Sequence, residues 1–322
     1  SLAATLRIYH RVWQLYIAHV FLFMMFMALT GHLSEQLNNP LYVEELGATN
    51  FLSDPGHAVT MALALLFHPA YMDILPLYIT QLAVLPLFIL LLRWRWPLAI
   101  GLSLALWLAV QINSDLNLTA YPGPDQRWFF NPFAWQALFL FSAFLGWSQL
   151  HGRNGWLNAR WLFMSAVVIA SFGFSIRMNW TFNIIDDLVP FITRHFFWPT
   201  LSKTDMSPMR LLNVLAAVLV IATLVPHSAR FLRHAAAWPF IVCGRHSLHI
   251  FCLGITLSVT GELILNKLIG GFWLQNLVIV TGVALLVGTA ALMDWYRNNT
   301  RSSPTPKRDT EGKASVSKGA PS

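Results

Sequence analysis

Apolar runs long enough to cross a bilayer recur from residue 12 to residue 295. A hydrocarbon core of about 30 Å takes roughly 20 residues of helix. In lipid every backbone N–H and C=O must be paired within its own segment, so such a run is a helix. Hydrophobic residues make up 56% of the 322 and charged ones only 11%, against about 25% charged in soluble domains. A soluble globular fold is excluded. The net charge of +7 would suggest nucleic acid on a soluble chain. In a membrane protein the location of the charges matters more than their sum, and no nucleic-acid partner is expected.

Reading the runs against their breakers gives eight candidate spans: 11–31, 71–92, 97–113, 133–150, 159–177, 209–226, 238–260 and 272–295. The piece 57–67 is too short to span and reads as an interfacial or re-entrant helix. The fold expected is all-α, a polytopic bundle over residues 1–296. The loops alternate in charge. Residues 5–11, 93–96, 151–160, 227–234 and the tail from Arg297 hold 14 of the 21 Lys and Arg. The opposite loops hold Glu35, Glu44, Glu45, Asp54, Asp115, Asp125, Asp186, Asp187, Asp205 and Glu262. Basic loops stay in the cytoplasm, which places both ends of the chain there. The tail 297–322 is polar, basic and rich in Ser and Pro; it lacks the apolar content to bury a core and is expected to be disordered. Cys243 and Cys252 form no CxxC, and neither a disulfide framework nor a metal site is expected.

Ionisable residues inside spans are rare and face a bundle interior or a watery cavity. In "GRHSLHIFCLG" (244–254), Arg245, His249, Cys252 and Thr256 recur on one helical face, which would turn Arg245 and His249 together into the bundle. The alternative is an Arg that snorkels to the interface and a His bonded to a neighbouring helix. In "RIYHRVWQLYIAHV", Arg7, Arg11 and His19 fall within about a third of the helix circumference. Arg7 and Arg11 suit a phosphorylated ligand, because guanidinium matches phosphate geometry; topogenic charge is the other explanation. His19 lies deeper, as a base or a packing residue. The acidic-side loops "YPGPDQRWFFNPFAWQ" and "DDLVPFITRHFFWPTLSKTDMSPMR" mix aromatic, polar and Pro residues. Aromatic faces with hydrogen-bonding groups suit a saccharide, and equally an interfacial aromatic belt. Asn131 and Ser207 precede Pro132 and Pro208 and read as helix caps.

Three segments, "FFNPFAWQALFLFSAFLGW" (129–147), "LSKTDMSPMRLLNVLA" (201–216) and "GRHSLHIFCLG", resemble the OpgC family, within the acyltransferase-3 group of integral membrane acyltransferases. Gly244, Ser247, Leu248 and Phe251 resemble that group's late-helix pattern. The likeness covers about residues 7–260 and implies a bundle of about ten spans in the bacterial inner membrane. The implied reaction moves an acyl group, such as succinyl, from a cytoplasmic acyl-CoA to a sugar hydroxyl of a periplasmic glucan. Acyl-CoA would be a co-substrate, with no bound cofactor.

The group's catalytic Arg and His lie on a first helix, which the resemblance places upstream of Ser1, the chain being an N-terminally truncated piece. His19 and His249 are secondary candidates for the base. Arg7, Arg11, Arg245 and His249 are the candidate donor-binding residues. Asn131, Gln136, Lys203, Asp205 and Arg210 are the candidate acceptor-side residues. A transporter or flippase for an anionic or glycosylated metabolite is the rival reading, although no paired broken helices are visible; a non-catalytic subunit of a glucan assembly is the third.

Overall fold

The computed structural model describes residues 2–37, 44, 47–69, 71–153, 155–182, 184–185, 202–225, 229–268 and 271–301. The chain divides into two compact units, Ser1–Leu232 and Arg233–Ser322. The described residues are overwhelmingly helical, and a short antiparallel hairpin, β1 (Thr119–Ala120) with β2 (Gly123–Arg127), is their one sheet. Five helices are long and apolar enough to cross a membrane, which makes this a membrane protein. Large apolar side chains such as Leu87, Trp161 and Val168 stand 67%, 69% and 65% exposed on them, as lipid-facing groups do and a water-facing surface does not.

In the first unit, α1 (Leu2–Leu37) carries the basic start of the sequence into one long helix. The short α2 (Thr49–Ser53) and α3 (Pro55–Leu63) follow. The Asp54 side chain accepts from the His57 N–H at 3.2 Å, with Pro55 at the first helical position, a favourable helix start. The apolar piece 57–67 thus forms a short helix and a turn. Tyr16 on α1 donates to the Leu63 carbonyl at 2.9 Å.

Helix α4 (Ile74–Ile112) covers two of the expected spans and is broken at Arg95, whose φ of −146° and ψ of 89° are non-helical. The chain reverses there. Gln81 Nε2 donates to the Pro132 carbonyl at 2.9 Å, while Ser103 Oγ donates to Gln136 Oε1 at 2.7 Å. Both residues meet the first turns of α5 (Pro132–Leu150), yet along one straight helix they would lie about 33 Å apart. The turn follows from sequence, since Arg93 and Arg95 resist burial and Pro97 cannot continue a hydrogen-bonded helix from the first arm. Phe88, Leu92, Ala99 and Leu140 close the core between the two arms and α5.

Helices α6 (Arg160–Phe182) and α7 (Pro208–Leu224) pack closely. Gly173 makes this possible, because a Cβ there would collide with the Asn213 side chain. In the second unit, the span expected at 238–260 is two helices, α8 (Trp238–Arg245) and α9 (Ser247–Lys267), separated at His246. Helix α10 (Phe272–Arg301) packs on both. Residues 297–301 of the expected tail continue α10, and the rest of the tail lies outside the described residues.

Candidate functional site

The segment 202–207 is pinned at the junction of α4 and α5. Trp107 Nε1 donates to the Met206 carbonyl at 2.9 Å and Gln111 Nε2 to the Asp205 carbonyl at 2.7 Å. Trp135 Nε1 donates to the Lys203 carbonyl at 3.0 Å, and the Asn131 N–H to the Thr204 carbonyl at 3.0 Å. Met206 is fully buried with φ of 43°, a conformation uncommon outside Gly that packing must hold in place.

Two of the candidate acceptor-side residues, Asn131 and Asp205, spend their polar groups inside this clamp, and a third, Gln136, spends its own between α4 and α5. Asn131 Oδ1 accepts from the Phe133 N–H at 3.0 Å, capping α5, and its Nδ2 donates to Leu116 O and to Asp205 Oδ1. Gln136 exchanges two bonds with Ser103. Asp205 accepts from Asn131 and from the Ser202 hydroxyl. Asn131 is the cap the sequence suggests. Ser207 is not: it precedes α7, but its hydroxyl is buried and makes no capping bond. Much of the loop 186–210 singled out in the sequence lies outside the described residues.

The clamped segment sits between two cavities, with Thr204 lining one and Lys203 the other. The first, about 460 Å³, is walled by Tyr121, Gln126, Arg127 and Trp128 from the hairpin region and by His68 and Asp73 from the turn before α4. His68 meets Trp128 edge-on at 4.5 Å and contacts the Leu65 carbonyl through Nε2 at 2.9 Å. As the carbonyl only accepts, Nε2 carries the hydrogen and Nδ1 keeps a lone pair. Burial lowers the His68 pKa to about 4, so the ring is neutral at pH 7. Burial also raises the Asp73 carboxyl to about 6, and this residue makes no salt bridge among the described residues. The cavity thus joins aromatic walls to hydrogen-bonding groups and a carboxyl that titrates near neutrality.

The second cavity, about 370 Å³, lies along α6 and α7 and is lined by Arg177, Trp180, Lys203, Arg210 and Asn213. Lys203 and Arg210 from the candidate acceptor set meet here, joined by Arg177, which was not expected.

On α1, Arg7 is exposed and donates to its own helix at Ala3, while Arg11 is half-buried and bonds Gln14 at 3.2 Å. His19 is fully buried and lines neither cavity; its ring nitrogens make no hydrogen bond of good geometry. The expected common face therefore spans an exposed end and a sealed interior.

In the second unit, the helix is interrupted between Arg245 and His249 at His246, with φ of −113° and ψ of 31°. Arg245 Nη1 instead meets Asp294 Oδ2 of α10 at 3.3 Å, Arg297 donates to Oδ1, and His246 Nε2 lies 3.7 Å from Oδ1. His249 is exposed on α9. Asp294 was missed although its signal was legible: a lone acid within the last apolar run needs a cation. His68 and Asp73 were missed because only the turn 64–73 brings them to the hairpin.

No curated protein and no solved structure matched this chain. The family model OpgC_C, described as OpgC protein, matched residues 1–298, which include both cavities and every helix described above except the last three residues of α10. The chain belongs to the OpgC protein family.

Proposed function

We propose that this chain is the membrane-embedded body of an O-acyltransferase. It moves an acyl group from a cytoplasmic acyl-CoA to a hydroxyl of a periplasmic glucan or another envelope saccharide. In this reading it lies in the bacterial inner membrane with its C-terminus in the cytoplasm, as the basic loops require. It crosses eight times: α1, the two arms of α4, α5, α6, α7, α8 with α9, and α10. The reversal at Arg95 supports counting α4 twice.

The observation that carries the acceptor half is the lining of the larger cavity. Tyr121 and Phe129 offer apolar faces to sugar C–H groups, while Gln126, Arg127, Thr204 and Asp73 offer partners for hydroxyls. Asn131 and Asp205 hold the segment that carries Thr204 to this cavity, Gln136 braces α4 against α5, and Lys203 and Arg210 line the neighbouring cavity. On the basic side of the first unit, Arg7 and Arg11 meet the donor phosphates. The hydroxyl oxygen attacks the thioester carbonyl, forming the ester C–O bond as the C–S bond breaks. The hydroxyl proton passes to a base and the thiolate departs.

Full-length protein in vesicles, given acyl-CoA outside and a saccharide on the opposite face, tests this. Phe129→Ala should raise KM for saccharide about tenfold, equivalent to losing about 1.4 kcal/mol of binding, and leave KM for acyl-CoA unchanged. Saccharide crossing the membrane without being acylated would favour a transporter instead.

A further inference from the structure

We propose that the cavity along α6 and α7 is an anion-binding site, in which Arg177, Lys203 and Arg210 hold a carboxylate or phosphate group. Three elements deliver the three cations: α6, the clamped segment and α7. No described lining residue is acidic. Every salt bridge among the described residues is made to Asp294, so neither Arg177 nor Lys203 is spent on a carboxylate there. Arg177 and Arg210 line the same cavity from facing helices. Like charges gathered on one partly desolvated cavity raise its affinity for an anion, because attraction strengthens as water is excluded.

The site is built. Lys203 projects from a backbone fixed by Trp135 and, at the next residue, by Asn131. The two arginines stand on helices that Gly173 locks together at close range. Guanidinium groups bind carboxylate and phosphate bidentately, and about 370 Å³ accommodates a small ligand head. The claim stands whether or not the neighbouring cavity binds a saccharide. The anion can be carried by a soluble ligand or by a lipid headgroup.

The test uses the full chain in nanodiscs of phosphatidylcholine, with inorganic phosphate as the probe and binding read by phosphorus NMR line broadening. A parallel arm adds phosphatidylglycerol and counts retained lipids by native mass spectrometry. Saturable phosphate binding that falls about tenfold in Lys203→Gln and in Arg177→Gln, returns in part in Arg177→Lys, and survives Arg153→Gln supports a soluble anion. Retention of phosphatidylglycerol with the same mutational pattern supports a headgroup. Lys203 is exposed, so its variant folds. Absence of binding in both arms, or binding indifferent to Lys203→Gln and Arg177→Gln, overturns the site.

Discussion

Arg245 Nη1 and Asp294 Oδ2 stand 3.3 Å apart, joining the end of α8 to α10 across 49 residues of sequence. The carboxylate is the hub, since Arg297 and His246 approach its other oxygen. Its side chain is 15% exposed and that of Arg245 51%, so the two partners are not equivalent when removed.

Asp294→Asn should therefore destabilise more than Arg245→Gln. Loss of the acid removes the carboxylate that Arg245 and Arg297 share, at a cost of about 1–3 kcal/mol. Loss of Arg245 leaves Asp294 still bonded to Arg297. Melting temperatures of the purified protein in detergent decide it, and an equal or reversed order would remove Asp294 as the hub.

Asn131→Ala should be among the most damaging single changes in the first unit. It deletes a helix cap worth about 1 kcal/mol and two further bonds, to Leu116 and Asp205. The expected loss is about 2–4 kcal/mol, together with faster proteolysis near residues 202–207. Unchanged protease protection there would contradict the clamp.

His68 and Asp73 should oppose each other as pH changes. The Asp73 pKa is raised from 3.8 to about 6, so its contribution to stability is fullest below pH 3.8 and is lost as pH rises through about 6. The His68 pKa is lowered from 6.5 to about 4, so its contribution is present above pH 6.5 and is lost as pH falls through about 4. Between pH 4 and 6 the trends offset. Asp73→Asn should leave a protein that weakens steadily on acidification across this window, and His68→Gln one that strengthens. Parallel melting curves for the two variants would refute the assignment.

Gly173→Ala should lower stability by about 1–3 kcal/mol, the usual cost of overpacking, because the new methyl meets the Asn213 amide. Asn213→Ala in the same chain should recover most of the loss. A double variant as unstable as the single one would mean that α6 and α7 do not meet at these residues.

Part of the site could be read from the chain alone. Asn131 before Pro132 announces a cap, and Lys203 and Arg210 stand in a segment whose composition already sets it apart. The interruption at His246 of the span expected at 238–260 was missed because periodicity assumes an unbroken helix, and the apolar pattern runs through the break. The cavity around Asp73 was invisible for a different reason: its walls come from residues as far apart in sequence as His68, Tyr121, Arg127 and Thr204.

Sequence by itself determined that this is a helical membrane protein, where its apolar segments lie and which loops carry positive charge. Those properties follow from transfer energies and backbone pairing, which each segment satisfies alone. Tertiary structure decided that Gln81 and Ser103 both bond to the start of α5, that Asp294 neutralises Arg245, and that one pinned segment turns Lys203 to a cationic cavity and Thr204 to an aromatic one. Each of these depends on a hydrogen bond or charge supplied from a distant part of the chain, and a local pattern carries no record of its partner.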